Sequence, residues 1–575
     1  MRRFKENDMK KIFKGFICIA LCIITTISLF SCKGDGQEQT EDTSAEEVFA
    51  LTTENISKYR IIVSYDLSEE LWEAIRSLQE YIKTIIGVQL EVTSDLIIAN
   101  SDEYYESEYE ILVGETNRAS VKDVYRDIRT EDHGYAMADK KVLIFGNTSS
   151  IAQLSADVFK RDILDKAKNG ESTLLYSGES KINAGQYTYD ALTVNGVDIK
   201  DYSIVYPAGA KLGVRDIAMR FAKWIEVNTG YTVECVSDSG ERQEHEIQIG
   251  NTNRITADRI SRMNSALISD GQYYISCEDD ILWATGKDQS AILGAVTGML
   301  DRINGDGKLE LLESICAEKK ETAISVMSYN IRGMMDADKR NSEDVIVSIK
   351  QRDPDIFAPQ EATTNSAKWI SRLDAALGNE YQSFKGLRIG NYLQYQPVYF
   401  KKDRFELISS ASRYLTHTPD KKSRLEGAEY DRIVTFVVLR DKQTGAQFLY
   451  SNNHFDTAGY IVRTEEAKIL AEMLKEYPLL PLIVGGDFNT EASTSPIQTL
   501  LSKTRLELGE SIAEENILGG SSSSDYLTRG DSIIDIVLVS KESISIRKYE
   551  IWDNKTNGRY PSDHLPVWVE LTVKY

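Results

Sequence analysis

The sequence predicts an α/β protein of several domains, in which two repeated small α/β modules precede a larger C-terminal α/β domain. Three observations predict it. At 575 residues the chain is too long for one core. The region from residue 53 to about 320 contains a diverged internal repeat of strands and amphipathic helices. From Ala323 onward the texture changes to β-branched strands that end in polar residues.

The N-terminus comes first. The basic stretch MRRFKENDMKKIFKGF precedes the apolar ICIALCIITTISLF and then SCKG, a secretory signal layout with an apolar run too short for a comfortable membrane span. Leu29, Phe30, Ser31 and Cys32 look like a bacterial lipobox, which implies cleavage after residue 31 and a lipid-anchored, extracytoplasmic protein held through Cys32. The following acidic tract, KGDGQEQTEDTSAEE, lacks aromatic residues and predicts a flexible tether over residues 32–52. Beyond it stand Cys235, Cys277 and Cys316, an odd number at no metal-like spacing, so no disulfide framework is expected. The formal net charge of −22 falls mostly before residue 321. So acidic a chain makes a poor non-specific nucleic-acid binder, because phosphate-backbone affinity rests on clustered Lys and Arg; the nearly balanced C-terminal part weakens that objection.

The repeat is visible by eye. KYRIIVSYDLSEELWEAIRSLQEYIKTIIGVQLEV, from Lys58, parallels DYSIVYPAGAKLGVRDIAMRFAKWIEVNTGYTVEC, from Asp201. Each has an apolar strand, an amphipathic helix, a glycine stop and a second strand. YEILVGETNRAS and HEIQIGNTNRIT then share a strand ending in Gly-x-Thr-Asn-Arg, where helix capping by Thr-Asn-Arg is the expected role and a ligand loop the alternative. Both copies close with a hairpin and a helix, giving modules over 53–190 and 191–320. Alignment of the copies sets Cys235 opposite Val92, which predicts a small buried hydrophobe. The layout resembles the small α/β module that precedes catalytic barrels in hexosaminidases and α-glucuronidases. That resemblance implies a spacer or a glycan contact through residues 53–320.

Residues 321–575 carry the chemistry. AISVMSYNIRGM runs as a strand into Asn330 and Arg332, and RDPDIFAPQEAT delivers Glu361. RIVTFVVLRDKQTGAQFLYSNNHFD is a hairpin ending in His454 and Asp456. PLLPLIVGGDFNT offers an apolar run from Leu479 to Val484, two glycines, then Asp487 and Asn489. SIIDIVLVS adds Asp535, and GRYPSDHLPVWVELTV adds Asp563 and His564. Each alone suits a turn or a solvated strand end. Six strands that each end in Asn, Asp, Glu or His exceed what packing needs, since such groups are costly to bury unpaired. Carboxylate and carboxamide oxygens suit Mg²⁺ with substrate phosphate, and histidines can orient water or stabilise a leaving oxygen.

SYNIRG, PDIFAPQEAT, NNHFDTAG, GGDFN, IDIVLVS and SDHLPV stand in the order and approximate spacing of the endonuclease/exonuclease/phosphatase family, which the C-terminal segment resembles over about 250 residues. The resemblance implies a four-layered α/β sandwich of two packed β-sheets with the site at one edge. It implies Mg²⁺ or Mn²⁺ held at Glu361 with Asn330 and Asp563, and Asp487 with Asn489 positioning water and phosphate. It further implies His454 at the phosphate or leaving group, and Asp535 with His564 as a dyad acting on the nucleophile. The reaction implied is hydrolysis of a phosphate ester by in-line attack of metal-activated water, without a covalent enzyme intermediate. Arg332 and Arg432 are candidate phosphate contacts, with solvated surface arginines as the equal alternative. Gln394, in QYQP, stands where many secreted bacterial relatives carry a glutamate able to orient His454. The expected substrate is a phosphodiester or phosphomonoester, with nucleic acid, disfavoured by charge, and phospholipid as alternatives. The alternative is a non-catalytic surface binding protein with a relic hydrolase domain.

Overall fold

The computed structural model describes residues 48–575 apart from residues 66–68, 97–105, 119–123, 126, 147, 334–339, 365–367 and 388–393. The expected signal peptide, Cys32 and most of the expected tether lie outside the described residues. Among the described residues no helix is long and apolar enough to cross a membrane. The expected tether, 32–52, is not wholly a linker. Its last three residues form the strand Ala50–Thr52, which pairs antiparallel with Thr173–Tyr176, and Leu51 there is fully buried.

The repeat appears strand for strand. The first module has a six-stranded sheet ordered Val92–Ser94, Arg60–Val63, Glu110–Val113, Lys141–Ile144, His133–Ala138, Ser180–Asn183. The second is ordered Cys235–Ser237, Ser203–Tyr206, Glu246–Ile249, Ile281–Gly286, Gln272–Glu278, Ile315–Glu318, with the same parallel and antiparallel pairings. Cys235 pairs with Ile204 as Val92 pairs with Ile61, and burial pushes its half-buried thiol up to about 11.

In the second module the Thr-Asn-Arg loop does not cap the following helix as expected. The helix Ala257–Ala266 is capped by Thr256, whose hydroxyl accepts from Arg259 N, while Thr252 Oγ1 donates to Gln248. The loops instead bind a carboxylate behind them. Asp95 accepts from Tyr65 N and Asn117 N, each at 2.9 Å, and Asp238 accepts from Ala208 N and Asn253 N, each at 2.7 Å. Arg118 pairs with buried Glu110 at 3.0 Å, and Arg254 pairs with buried Glu246. The shared sequence is thus a structural clasp between strand ends.

From Glu321 the chain builds the expected four layers. One sheet has seven strands, ordered Tyr381–Phe384, Val398–Lys401, Ile356–Gln360, Glu321–Asn330, Val567–Lys574, Ile544–Ile551, Glu515–Ile517. The other has six, ordered Phe405–Tyr414, Ile433–Asp441, Gln447–His454, Leu482–Asp487, Asp535–Ser540, Leu506–Leu508. Side chains alternate along each strand and sort between layers. Val326 joins the core between the sheets with Phe400, Val437 and Ile483, while Met327 and Tyr329 pack outward with Val345 and Ile349 of the helix Arg340–Arg352. On the opposite outer face Val484 and Leu538 meet Leu470 and Ile497 of the helices Tyr460–Leu474 and Ser495–Lys503.

The apolar run beginning at Leu479 is divided by Pro481. The strand is Leu482–Asp487, and Leu479, 2 % exposed, belongs to the apolar core of the second module. One sequence run therefore serves two cores.

Candidate active site

Sheet register assembles the site. Asp487 ends its strand paired with His454 on the parallel neighbour and with Asp535 on the antiparallel one. In the facing sheet Asn330 pairs with Gln360, and Glu361 follows at once. His564 precedes the strand Val567–Lys574. Both sheets thus deliver polar side chains to one edge, around a cavity of about 250 Å³ lined by Glu361, Gln394, Arg432, His454, Asp487 and His564, among others.

One oxygen is the hub. Asp487 Oδ2 accepts from Asn330 Nδ2 at 3.0 Å and lies 3.5 Å from His454 Nε2 and 3.7 Å from His564 Nε2. Asp487 Oδ1 accepts from Asn489 N at 2.9 Å, while Asn489 Nδ2 donates to Phe455 O. The same Asn330 amide lies 3.2 Å from Glu361 Oε1, bridging the two carboxylates, and Gly333 N donates to Glu361 Oε2 at 2.7 Å. His564 Nδ1 and Asp535 Oδ2 are 2.8 Å apart, and Ser522 Oγ accepts from Ile534 N and Asp535 N.

Three of these positions lie in left-handed backbone: Arg332 at φ 58°, Glu361 at 62° and Asn489 at 50°. For residues with a Cβ that conformation is costly, and its clustering at one sheet edge shows the fold holding these side chains against local preference. Gly486, at φ 157°, is required by space: a Cβ there would meet Asn453 O at 2.1 Å. The two glycines let the strand bring Asp487 close to its neighbours.

Burial and proximity separate the titratable groups. Burial, aided by Arg432 and His564, holds the His454 imidazole well below its usual range. For His564 burial pulls down, but Asp535 and Asp487 outweigh it and hold the imidazole well above its usual range. Burial pushes Asp487 up to about 6, with Asp535 repulsion adding, and burial also raises Asp563. Such separation within one cavity is characteristic of catalytic sites.

The two arginines differ. Arg432 is buried, lines the cavity, lies 3.6 Å from Asp456 and stacks over Tyr430. Arg332 is half-buried, 3.9 Å from Asp563 and over the Tyr526 ring. Gln394 lines the cavity, but His454 Nδ1 is buried without a hydrogen-bond partner among the described residues. The sequence pointed to Asp456 without a role for it and gave Glu466, Gln360 and Asn452 no role as supports. Asp456 accepts from Glu429 N, Tyr430 N and Ala458 N, and its own N–H donates to buried Glu466 at 2.9 Å. Beneath the site Gln360 Nε2 donates to Asn452 Oδ1 at 2.7 Å, and Asn452 Nδ2 donates to Pro359 O and Pro397 O, joining the sheets. Only the polar pairs in NNHFD and PQE hinted at them.

The residues fit a divalent cation. Glu361, Asp487, Asp535 and Asp563 lie at one edge with oxygen donors suited to a hard ion, and among the described residues buried Asp535 Oδ1 has no hydrogen-bond partner. Asp487, Asp535 and His564 offer ligand atoms within 4.8 Å of one another, with His564 Nδ1 2.8 Å from Asp535 Oδ2. Glu361 lies near enough to Asp563 for its charge to add to the rise that burial causes there.

Residues 327–564 match the sequence model of the Endonuclease/Exonuclease/phosphatase family. No curated protein matches the chain. Among solved structures, the mannosyl-6-phosphatase of Bacteroides thetaiotaomicron is 24% identical over 43% of this chain and 99% of its own, with TM-score 0.39. An endonuclease/exonuclease/phosphatase from Bacteroides vulgatus is 25% identical over 44% of this chain and 99% of its own, with TM-score 0.40. The human Nocturnin catalytic domain is 19% identical over 44% and 97%, with TM-score 0.35. Residues 327–564 are thus similar in sequence to the endonuclease/exonuclease/phosphatase family.

Proposed function

We propose that the protein hydrolyses a small or glycan-linked phosphate ester outside the cytoplasm, anchored through lipidated Cys32. The observation that carries the hydrolase reading is the convergence of Asn330, His454 and His564 on Asp487 Oδ2. Glu361, Asn330 and Asp563 would hold Mg²⁺ or Mn²⁺, which when bound neutralises phosphate charge and favours ionised water.

The chain's own groups divide the remaining work. Asp487 is placed to orient the attacking water and take its proton, with Asn489 fixing the carboxylate. His564, held as imidazolium by Asp535, donates to a phosphoryl oxygen from Nε2. Arg432 supplies a second cation inside the cavity, where low polarity strengthens its pull on developing negative charge. His454, neutral because it is buried, faces the phosphate or leaving group. A cavity of about 250 Å³ on a chain of net charge −22 favours a compact ester over a nucleic-acid backbone.

The test is a turnover assay of the soluble chain with Mg²⁺, Mn²⁺ or EDTA against sugar phosphates, nucleotides, bis-p-nitrophenyl phosphate, DNA, RNA and sphingomyelin. Metal-dependent release from one class, lost in Glu361→Ala with the fold retained, supports the reading. Silence of a folded protein throughout the panel moves weight to a binding protein. The anchor is tested separately: Cys32→Ala should move the protein from the membrane to the soluble fraction.

A further inference from the structure

A second cavity, of about 350 Å³, lies between the helix Leu212–Thr229 of the second module and the C-terminal domain, where Lys475 follows the helix Tyr460–Leu474, Lys503 ends the helix Ser495–Lys503 and Arg505 comes just after it. Arg220, Lys223, Lys475, Lys503 and Arg505 line it, with Asp216 as the one acidic lining residue. Five cations against one acidic lining residue stand out in a chain of net charge −22, with Lys223 and Lys475 also paired to Glu226 and Glu472 at 2.7 Å on the cavity rim.

The two guanidiniums are not accounted for by their partners. Arg220 is 8 % exposed, and Asp216 lies 2.9 Å from its Nε; among the described residues Nη1 and Nη2 are buried with no hydrogen-bond partner, Nη2 lying 4.0 Å from half-exposed Glu542. Arg505 Nη2 donates to Tyr477 O and Leu480 O, but among the described residues its Nη1 is likewise buried without a partner. Burial, with Arg220 nearby, lowers Arg505 to about 9. Two buried guanidiniums with unused donors, brought together by different domains, are costly unless an anion joins them.

We propose that this cavity binds a tetrahedral oxyanion, a phosphate or sulfate group carried on a small organic body, clamped between Arg220 and Arg505. The lysines steer and neutralise the anion, and Met219, Leu474 and Leu482 give the body an apolar wall. Leu482 begins the strand that ends at Asp487, about 17 Å away at strand rise, so the site is separate from the candidate active site. Occupancy would fasten the second module to the C-terminal domain. The proposal does not depend on the hydrolase reading.

The test is calorimetric titration of the intact chain with inorganic phosphate, sulfate and glucose 6-phosphate, in wild type, Arg220→Gln, Arg432→Gln and the surface double variant Lys223→Glu/Lys503→Glu. Affinity should fall about tenfold or more in Arg220→Gln and in the lysine variant, and persist in Arg432→Gln. The lysines are at the surface, so the double variant stays informative where Arg220→Gln fails to fold. Tighter binding of glucose 6-phosphate than of the bare ions supports the organic body. Equal affinity in wild type and the lysine variant, or loss of binding only in Arg432→Gln, overturns the proposal.

Discussion

Asp487 Oδ2 receives one hydrogen bond and faces two imidazoles, so its charge and position govern the cavity. Asp487→Asn keeps the shape and removes the charge; hydrolysis should fall by about three orders of magnitude with little change in melting temperature, read by turnover and circular dichroism. Glu466 tests the support behind the site. Burial pushes its carboxyl from 4.5 up to about 8. Because the folded value is raised, Glu466 is protonated in the folded chain at neutral pH, and stability is lost as pH rises from the unfolded value through the folded one. Over about pH 5 to 8 this loss is on the order of a few kcal/mol. Glu466→Gln should therefore flatten the fall in melting temperature across that window, its amide oxygen still accepting from Asp456 N. An equally steep fall in the variant would exclude Glu466 as the titrating group.

The strands carry the site through their register. A one-residue slip would turn Asp487 away from His454 and Asp535, and what resists it is the paired burial of Val484 outward and Ile483 inward. The Gln360 and Asn452 amides pin the sheets to each other just below the site. Asn452→Ala removes the donor to two proline carbonyls and the shortest of three contacts of Gln360 Nε2, which still reaches Ser328 Oγ and Ala358 O. It should cost about 2–3 kcal/mol in denaturant unfolding and lower turnover more than a surface change of equal cost. These supports were barely legible in the sequence, because an amide inside a β-branched run looks the same whether it pairs across sheets or faces water.

At the scale of the molecule, the second module and the C-terminal domain share a hydrophobic contact. Leu479 sits in the module's core, and the terminal residue Tyr575 exchanges backbone hydrogen bonds with Lys320 at the junction. Leu479→Ala should cost about 2–4 kcal/mol and expose the junction near Lys320 to trypsin, while activity of the C-terminal domain persists. Loss of activity in step with cleavage would instead show that the domain depends on this docking.

The repeat and the side chains that meet at Asp487, namely Asn330, His454 and His564, could be read from the sequence alone, because periodicity and turn chemistry are local and strand-end polar residues stand out against apolar runs. Local pattern could not decide which run ends where. Leu479 reads as strand and is claimed by another core; Thr252 reads as a cap and closes a clasp. Nor could it reveal the left-handed backbone of Glu361 and Asn489, the opposed shifts of His454 and His564, or two arginines 285 positions apart lining one cavity. Each of these depends on distances between segments remote in the chain, which tertiary packing alone sets.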